Sequence, residues 1–171
     1  TLFRRQGYTG TGLNDIAALS GAPKGSLYHY FPDGKISISV AAVDRAGARL
    51  ARSLEDLAAR APDTGTLVKD YARQLAGWMQ QSGYRDGCPM TTVLLELTPK
   101  ERAVAQAGRR AQAARLDILA RSLQSDGFDA KRARRLAMLC ISALQGALVQ
   151  ARVEKSGAPI ETAAAELAHM L

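Results

Sequence analysis

No alternating run of β-branched and aromatic residues in the 171-residue chain extends beyond four or five positions, and Ala, Leu, Arg and Gln dominate. The pattern predicts an all-α fold. Punctuation residues then divide it. A first helix ends at Gly7, a second covers 13–20, Gly21 and Ala22 make a turn, and a third runs over 23–30. Pro32, Asp33 and Gly34 precede a long helix over 35–60, and Pro62 to Gly65 separates it from one over 66–82. After a loop at 83–89, residues 90–97 read as a short, very apolar helix or turn segment. Thr98, Pro99 and Glu101 have capping-box spacing, which makes Thr98 the N-cap of a helix reaching about residue 125. A helix over 129–156, closed by Gly157, and another after Pro159 complete the series. The short helices come first and the long ones follow, so the reading divides the chain into residues 1–47 and 48–171, with the 35–60 helix as connector.

Composition narrows the class. Hydrophobic residues make up 47% of the chain, enough to bury a core and exclude disorder. The most apolar stretch, 136–151, is broken by Ser142, Gln145 and Gln150 and is shorter than the roughly 20 residues of a membrane span. Only Cys88 and Cys140 are present, which argues against a disulfide scaffold or zinc cluster and for a reduced, cytoplasmic protein without metal or cofactor. The start at Thr1, inside an apolar helix face, suggests that residues precede it. The net charge is +7. Its densest basic stretch, 100–135, is either a solvated helix face or a second nucleic-acid surface.

The most informative segment is 11–31. Ile16, Leu19 and Leu27 supply apolar faces, Ala17 permits a close helix crossing, Thr11 can cap the first helix, and Gly21 suits a left-handed turn. Pro23 fits the first turn of the second helix. This is a helix-turn-helix, whose second helix would enter a major groove with Lys24, Gly25, Ser26 and His29 outward.

Ile16-Ala17, Gly21, the run from Lys24 to Phe31 and Gly34-Lys35 together resemble the TetR/AcrR family of bacterial transcriptional regulators. The resemblance implies phosphate contacts from Tyr28, Tyr30 and Lys35. It further implies that Asn14, Lys24, Gly25, Ser26 and His29 face bases or the adjacent backbone, although Gly12 and Asn14 depart from the usual residues. Farther on, 87–96 and 144–152 resemble the LmrA/YxaF-like subgroup, which implies a region that binds a small-molecule effector and dimerises.

Tyr71, Trp78, Met79, Tyr84, Cys88, Met90, Leu94, Leu97, Phe128 and Gln145 are the residues expected to line an effector cavity, although each alone also reads as core. Cys88 is alternatively a redox sensor or plain packing, and Gln145 a pocket group or an interface residue; Cys140 is packing. Small residues at Ala143, Gly146, Ala147 and Ala151 share a helical stripe. By the resemblance they join Ile160, Leu167 and Met170 in a homodimeric four-helix bundle. The resulting expectation is a repressor that is not an enzyme, binds duplex DNA at half-sites about 34–36 Å apart and is released by an apolar or aromatic ligand. The competing reading, a helical enzyme or carrier, lacks any nucleophile–base pair or phosphate loop.

Overall fold

Where an aspartate precedes an apolar run, a helix begins. In the computed structural model, which describes residues 1–171, Asp63 accepts a hydrogen bond from Thr66 N at 2.7 Å and opens one helix, and Asp129 accepts from Lys131 N and Arg132 N at 3.0 Å and opens another. The bond from Thr66 also holds the Asp63 carboxyl below its ordinary value. The chain forms nine helices and no strand: α1 Leu2–Gln6, α2 Leu13–Ser20, α3 Lys24–Tyr30, α4 Lys35–Ala58, α5 Thr64–Gln81, α6 Thr91–Leu97, α7 Arg102–Ser125, α8 Ala130–Glu154 and α9 Ala158–Met170.

Three cap assignments change. Thr98 does not open α7: its hydroxyl donates back to Leu94 O at 2.7 Å and finishes α6, and Glu101 is the N-cap instead. Thr11 is wholly buried and donates to Gly7 O, so the start of α2 falls to Gly12, whose N–H donates to Asp15 Oδ2 at 2.9 Å. At the end of α8 the left-handed residue is Lys155, with φ 51°, two positions before Gly157.

The core lies among α4, α5, α7, α8 and α9, with Val43, Leu54, Leu67, Leu119, Leu123 and Ile160 fully or almost fully buried. α4 and α7 cross closely because Gly47 has no side chain. A Cβ there would stand 3.1 Å from Ala111 Cα and closer still to its Cβ. Gly47→Ala should therefore lower stability by about 1–2 kcal/mol, the overpacking cost outweighing the better helix propensity of alanine. Urea unfolding measures it; a stabilised variant would mean that the crossing can yield.

Near the N-terminus, Ile16 and Leu27 are half-buried as expected, but Leu19 is 63% exposed and anchors nothing. α8 is apolar on two sides. Ala133, Ala137, Cys140, Leu144, Ala147 and Ala151 face the core, while Met138, Leu139, Val149 and Val153 are exposed. At 25 residues α8 is longer than the 136–151 stretch and, with apolar side chains on both sides, it is long and apolar enough to cross a membrane by length and composition only, as a core helix can be. Burial pushes the Cys140 thiol up to about 11, in keeping with a packing role.

Candidate functional site

Two features could carry function: the surface of α2 and α3, and a cavity beneath α4. Gly21 turns the chain between α2 and α3 with φ 67°, a left-handed conformation that glycine adopts without a Cβ penalty. The turn leaves α3 with no buried residue. Lys24, Gly25, Tyr28, His29 and Tyr30 are exposed, as is Asn14 on α2, and Ser26 is half-buried. Tyr28 and Tyr30 are 57% and 75% exposed, so their rings are not spent on the core, and His29 meets Tyr30 edge-on at 5.2 Å.

Lys35 behaves differently. Its Nζ donates to Tyr8 O and Thr11 O, each at 2.9 Å, and sits 4.0 Å over the Tyr8 ring. Two of its three N–H donors thus tie the start of α4 to the turn between α1 and α2.

That turn is also held from the other side. Glu96 of α6 accepts from Tyr8 N at 2.7 Å, Thr9 N at 2.8 Å and the Thr9 hydroxyl at 2.6 Å. The Thr9 hydroxyl bond is the main cause that holds the Glu96 carboxyl below its ordinary value; burial opposes it, and the two backbone N–H bonds and the Lys35 charge add to the lowering. Asp86 pairs with Arg5 at 2.8 Å and Arg4 at 3.6 Å, Gly87 N donates to Arg4 O, and the Thr92 hydroxyl donates to Phe3 O. The segment 86–96 is therefore the seat on which the N-terminal helices rest.

The same segment walls the cavity. Its volume is about 360 Å³, and Tyr71, Trp78, Met79, Cys88 and Gln145 line it together with Ala46, Leu75 and Leu148. Tyr84, Met90, Leu94, Leu97 and Phe128 do not. Met90, Leu94 and Leu97 are buried in the core, and Tyr84 and Phe128 are half-buried against it. Gln145 donates to Thr91 Oγ1 at 3.0 Å, linking α8 to the start of α6.

The wall is more basic than expected: Arg4, Arg45, Arg49 and Arg115 all contribute. The basic stretch 100–135 reads as a solvated helix face or a second nucleic-acid surface, and Arg115 fits neither, being 4% exposed. Its position on α7, four residues after Ala111 and four before Leu119, both buried, places it on the inward stripe and was the available signal. Burial raises the Tyr71 phenol, an effect that neighbouring Arg115 partly opposes.

The small-residue stripe of α8 also needs correction. Ala147 and Ala151 are packed inside the subunit, as are Ile160 and Leu167 of α9, so none of them presents a surface to a second chain. Ala143 is half-buried. Gly146 is exposed with open space where a Cβ would stand, and Met170 is 54% exposed.

Comparison with known proteins places this arrangement. Residues 1–35 match the family described as bacterial regulatory proteins, tetR family, and residues 65–166 match the transcriptional regulator LmrA/YxaF-like C-terminal domain. An HTH-type transcriptional regulator of Mycobacterium tuberculosis is 32% identical over 175 residues, covering 99% of this chain and 88% of the relative. The HTH-type transcriptional regulator LmrA of Bacillus subtilis is 26% identical over 159 residues, with 93% and 85% covered. Among solved structures, a TetR transcriptional regulator from Legionella pneumophila superposes with a TM-score of 0.87 at 18% identity, covering 99% of this chain and 91% of the other. The reduced form of Escherichia coli NemR superposes with a TM-score of 0.80 at 25% identity, covering 97% and 89%. A helix-turn-helix head seated on a larger helical body, and a match over most of the length, lead to one conclusion: the chain belongs to the TetR family of DNA-binding transcriptional regulators and carries an LmrA/YxaF-like C-terminal domain.

Proposed function

We propose that the protein is a homodimeric repressor whose two α3 helices read adjacent major grooves and which leaves its operator when a small molecule fills the cavity. The observation that carries this reading is the double use of segment 86–96. Cys88 and Pro89 wall the cavity, while Asp86, Gly87, Thr92 and Glu96 hold α1 and the turn after it. A ligand that shifts this segment, or the cavity-lining Ala42, Arg45 and Ala46 of α4, changes how the head is seated. Release follows provided the ligand binds the displaced arrangement more tightly than the DNA-competent one. The name of a relative, the transcriptional repressor NemR, supports the sign of regulation.

On DNA, Tyr28 and Tyr30 donate to phosphates; Lys24, Ser26 and His29, with Asn14 from α2, face base edges or the neighbouring backbone. The second chain docks on the exposed side of α8, with Met170 of α9 at its margin. Residues 1–47 then act as the reading head and 48–171 as the effector and dimer region, joined through the continuous α4.

Gly25 offers a direct test. It lies in the first turns of α3 at a φ outside the left-handed region, and a Cβ there would meet nothing within 4 Å. The fold gives no reason for glycine, so close approach of the DNA backbone does. Gly25→Ala should stabilise the free protein slightly, by up to about 1 kcal/mol. It should also weaken binding to a duplex selected from a random pool, while the wild type shows a steep loss of affinity with salt. Thermal melting and fluorescence anisotropy read the two effects separately. Unchanged DNA affinity would remove α3 from the groove, and no salt-dependent binding by the wild type would favour a helical carrier.

A further inference from the structure

The cavity contains a positive charge that no carboxylate of the protein answers. Arg115 Nη2 is buried without a hydrogen-bond partner, and Nε reaches only Ala111 O, at 3.5 Å. No carboxylate pairs with Arg115, although two exposed arginines of the same helix find theirs: Arg110 pairs with Asp44 and Arg121 with Glu55, both at 3.0 Å. None of the 21 lining residues is Asp or Glu. A buried lysine could shed its proton, but a guanidinium stays charged in any protein environment. Leaving it unpaired is costly to the empty protein, and a group that enters the cavity with a negative charge relieves that cost.

The surroundings extend the same logic. Tyr71 stands beside Arg115 with its oxygen turned to the guanidinium as an acceptor, and its phenol keeps its proton, so its O–H is free as a second donor to a ligand. Arg45 and Arg49 add positive potential, and Arg49 stacks on Trp78 at 4.9 Å from the ring centre. Since 13 of the 21 lining residues are hydrophobic, the rest of the ligand must be apolar.

We infer that the effector is an organic acid with an aromatic or aliphatic body, whose carboxylate is received by the Arg115 guanidinium and the Tyr71 hydroxyl and whose body lies against Trp78, Leu75 and Leu148. The planar guanidinium fork matches a carboxylate through paired N–H donors, which selects the acid over neutral or cationic analogues of the same shape. This narrows the expectation of an apolar or aromatic ligand to one that also carries a negative charge, and it rests on the cavity being the effector site proposed above.

The test uses the full chain and three matched probe pairs, 2-naphthoate, cinnamate and dodecanoate, each against its primary amide, with calorimetry for affinity and anisotropy of the selected duplex for release. At least one acid should bind at least about tenfold tighter than its amide, the smallest return expected of a charge-assisted hydrogen bond, and should release DNA over the same concentration range. Arg115→Met should bring acid and amide within about twofold of each other and melt no lower than the wild type, because it removes an uncompensated charge. Arg115→Lys should keep part of the preference. Amides binding as tightly as acids, a preference that survives Arg115→Met, or a marked fall in melting temperature in Arg115→Met would each overturn the inference and leave the cavity's effector role standing. If no probe of either kind binds or releases DNA, the effector role and the inference fall together.

Discussion

Val149→Glu is expected to give a folded monomer whose affinity for its operator is lower by about 10²–10⁴, the gain that linking two reading heads provides. Val149 is 60% exposed on α8, one turn from Val153 at 78%, and Met138 and Leu139 continue the same side of the helix toward its N-terminus. Residues 139, 142, 146, 149 and 153 are spaced by three and four, so they form one stripe along the helix. In the single chain nothing covers that stripe, and a surface change of this kind costs the subunit only about 0.5 kcal/mol. Across a twofold axis the change is doubled, and two carboxylates enter an apolar seam. Gly146→Leu gives an independent check, since a leucine there meets open space in the subunit but holds two α8 helices apart. Sedimentation with circular dichroism separates assembly from folding. A dimer of undiminished affinity in both variants would move the interface elsewhere.

What could be read from the sequence follows the range of the forces involved. α2, the turn at Gly21 and α3 were legible because glycine, proline and helical spacing act within a few residues, although the cap expected at Thr11 is not one. The order and approximate ends of the long helices were legible for the same reason. α8 shows where such reading stops. Its stripe of small residues and its stripe of larger apolar residues both satisfy helical periodicity, and only the distant partners α5, α7 and α9 decide which faces inward. They take the small one, with Ala147 and Ala151 buried, and leave Val149 and Val153 outside. The cavity failed in a similar way: Met90, Leu94 and Leu97 carry the apolar signature of a lining, but α6 packs on α7, with Leu94 over Gly108, and Met90 just before it lies against Gly47 of α4, so all three are buried as core. Tyr71, Trp78, Met79 and Gln145 were identifiable from aromatic clustering and from a lone polar side chain in an apolar helix. Arg115 sat in a stretch rich in arginines, and only its register with Ala111 and Leu119 marked it as inward-facing.

Lys35 joins these threads. If the lysine served only as a phosphate contact, Lys35→Ala would leave the free protein intact and lower the salt dependence of DNA binding by about one counterion. The structure gives it prior partners, Tyr8 O and Thr11 O, and the face of the Tyr8 ring. Charge-assisted hydrogen bonds contribute about 1.5–3 kcal/mol each, and partial exposure of Lys35 reduces the pair to about 3 kcal/mol in all. Lys35→Ala should therefore cost about 3 kcal/mol, felt in the head: amides of residues 8–12 lose exchange protection before any DNA is added, while the core helices keep theirs. Lys35→Met, which restores the aliphatic stem but not the charge, should recover little. DNA affinity should fall for every sequence alike, because a loosened turn misplaces the whole of α2 and α3. An intact exchange pattern combined with a salt slope lowered by about one would return Lys35 to the phosphate role alone.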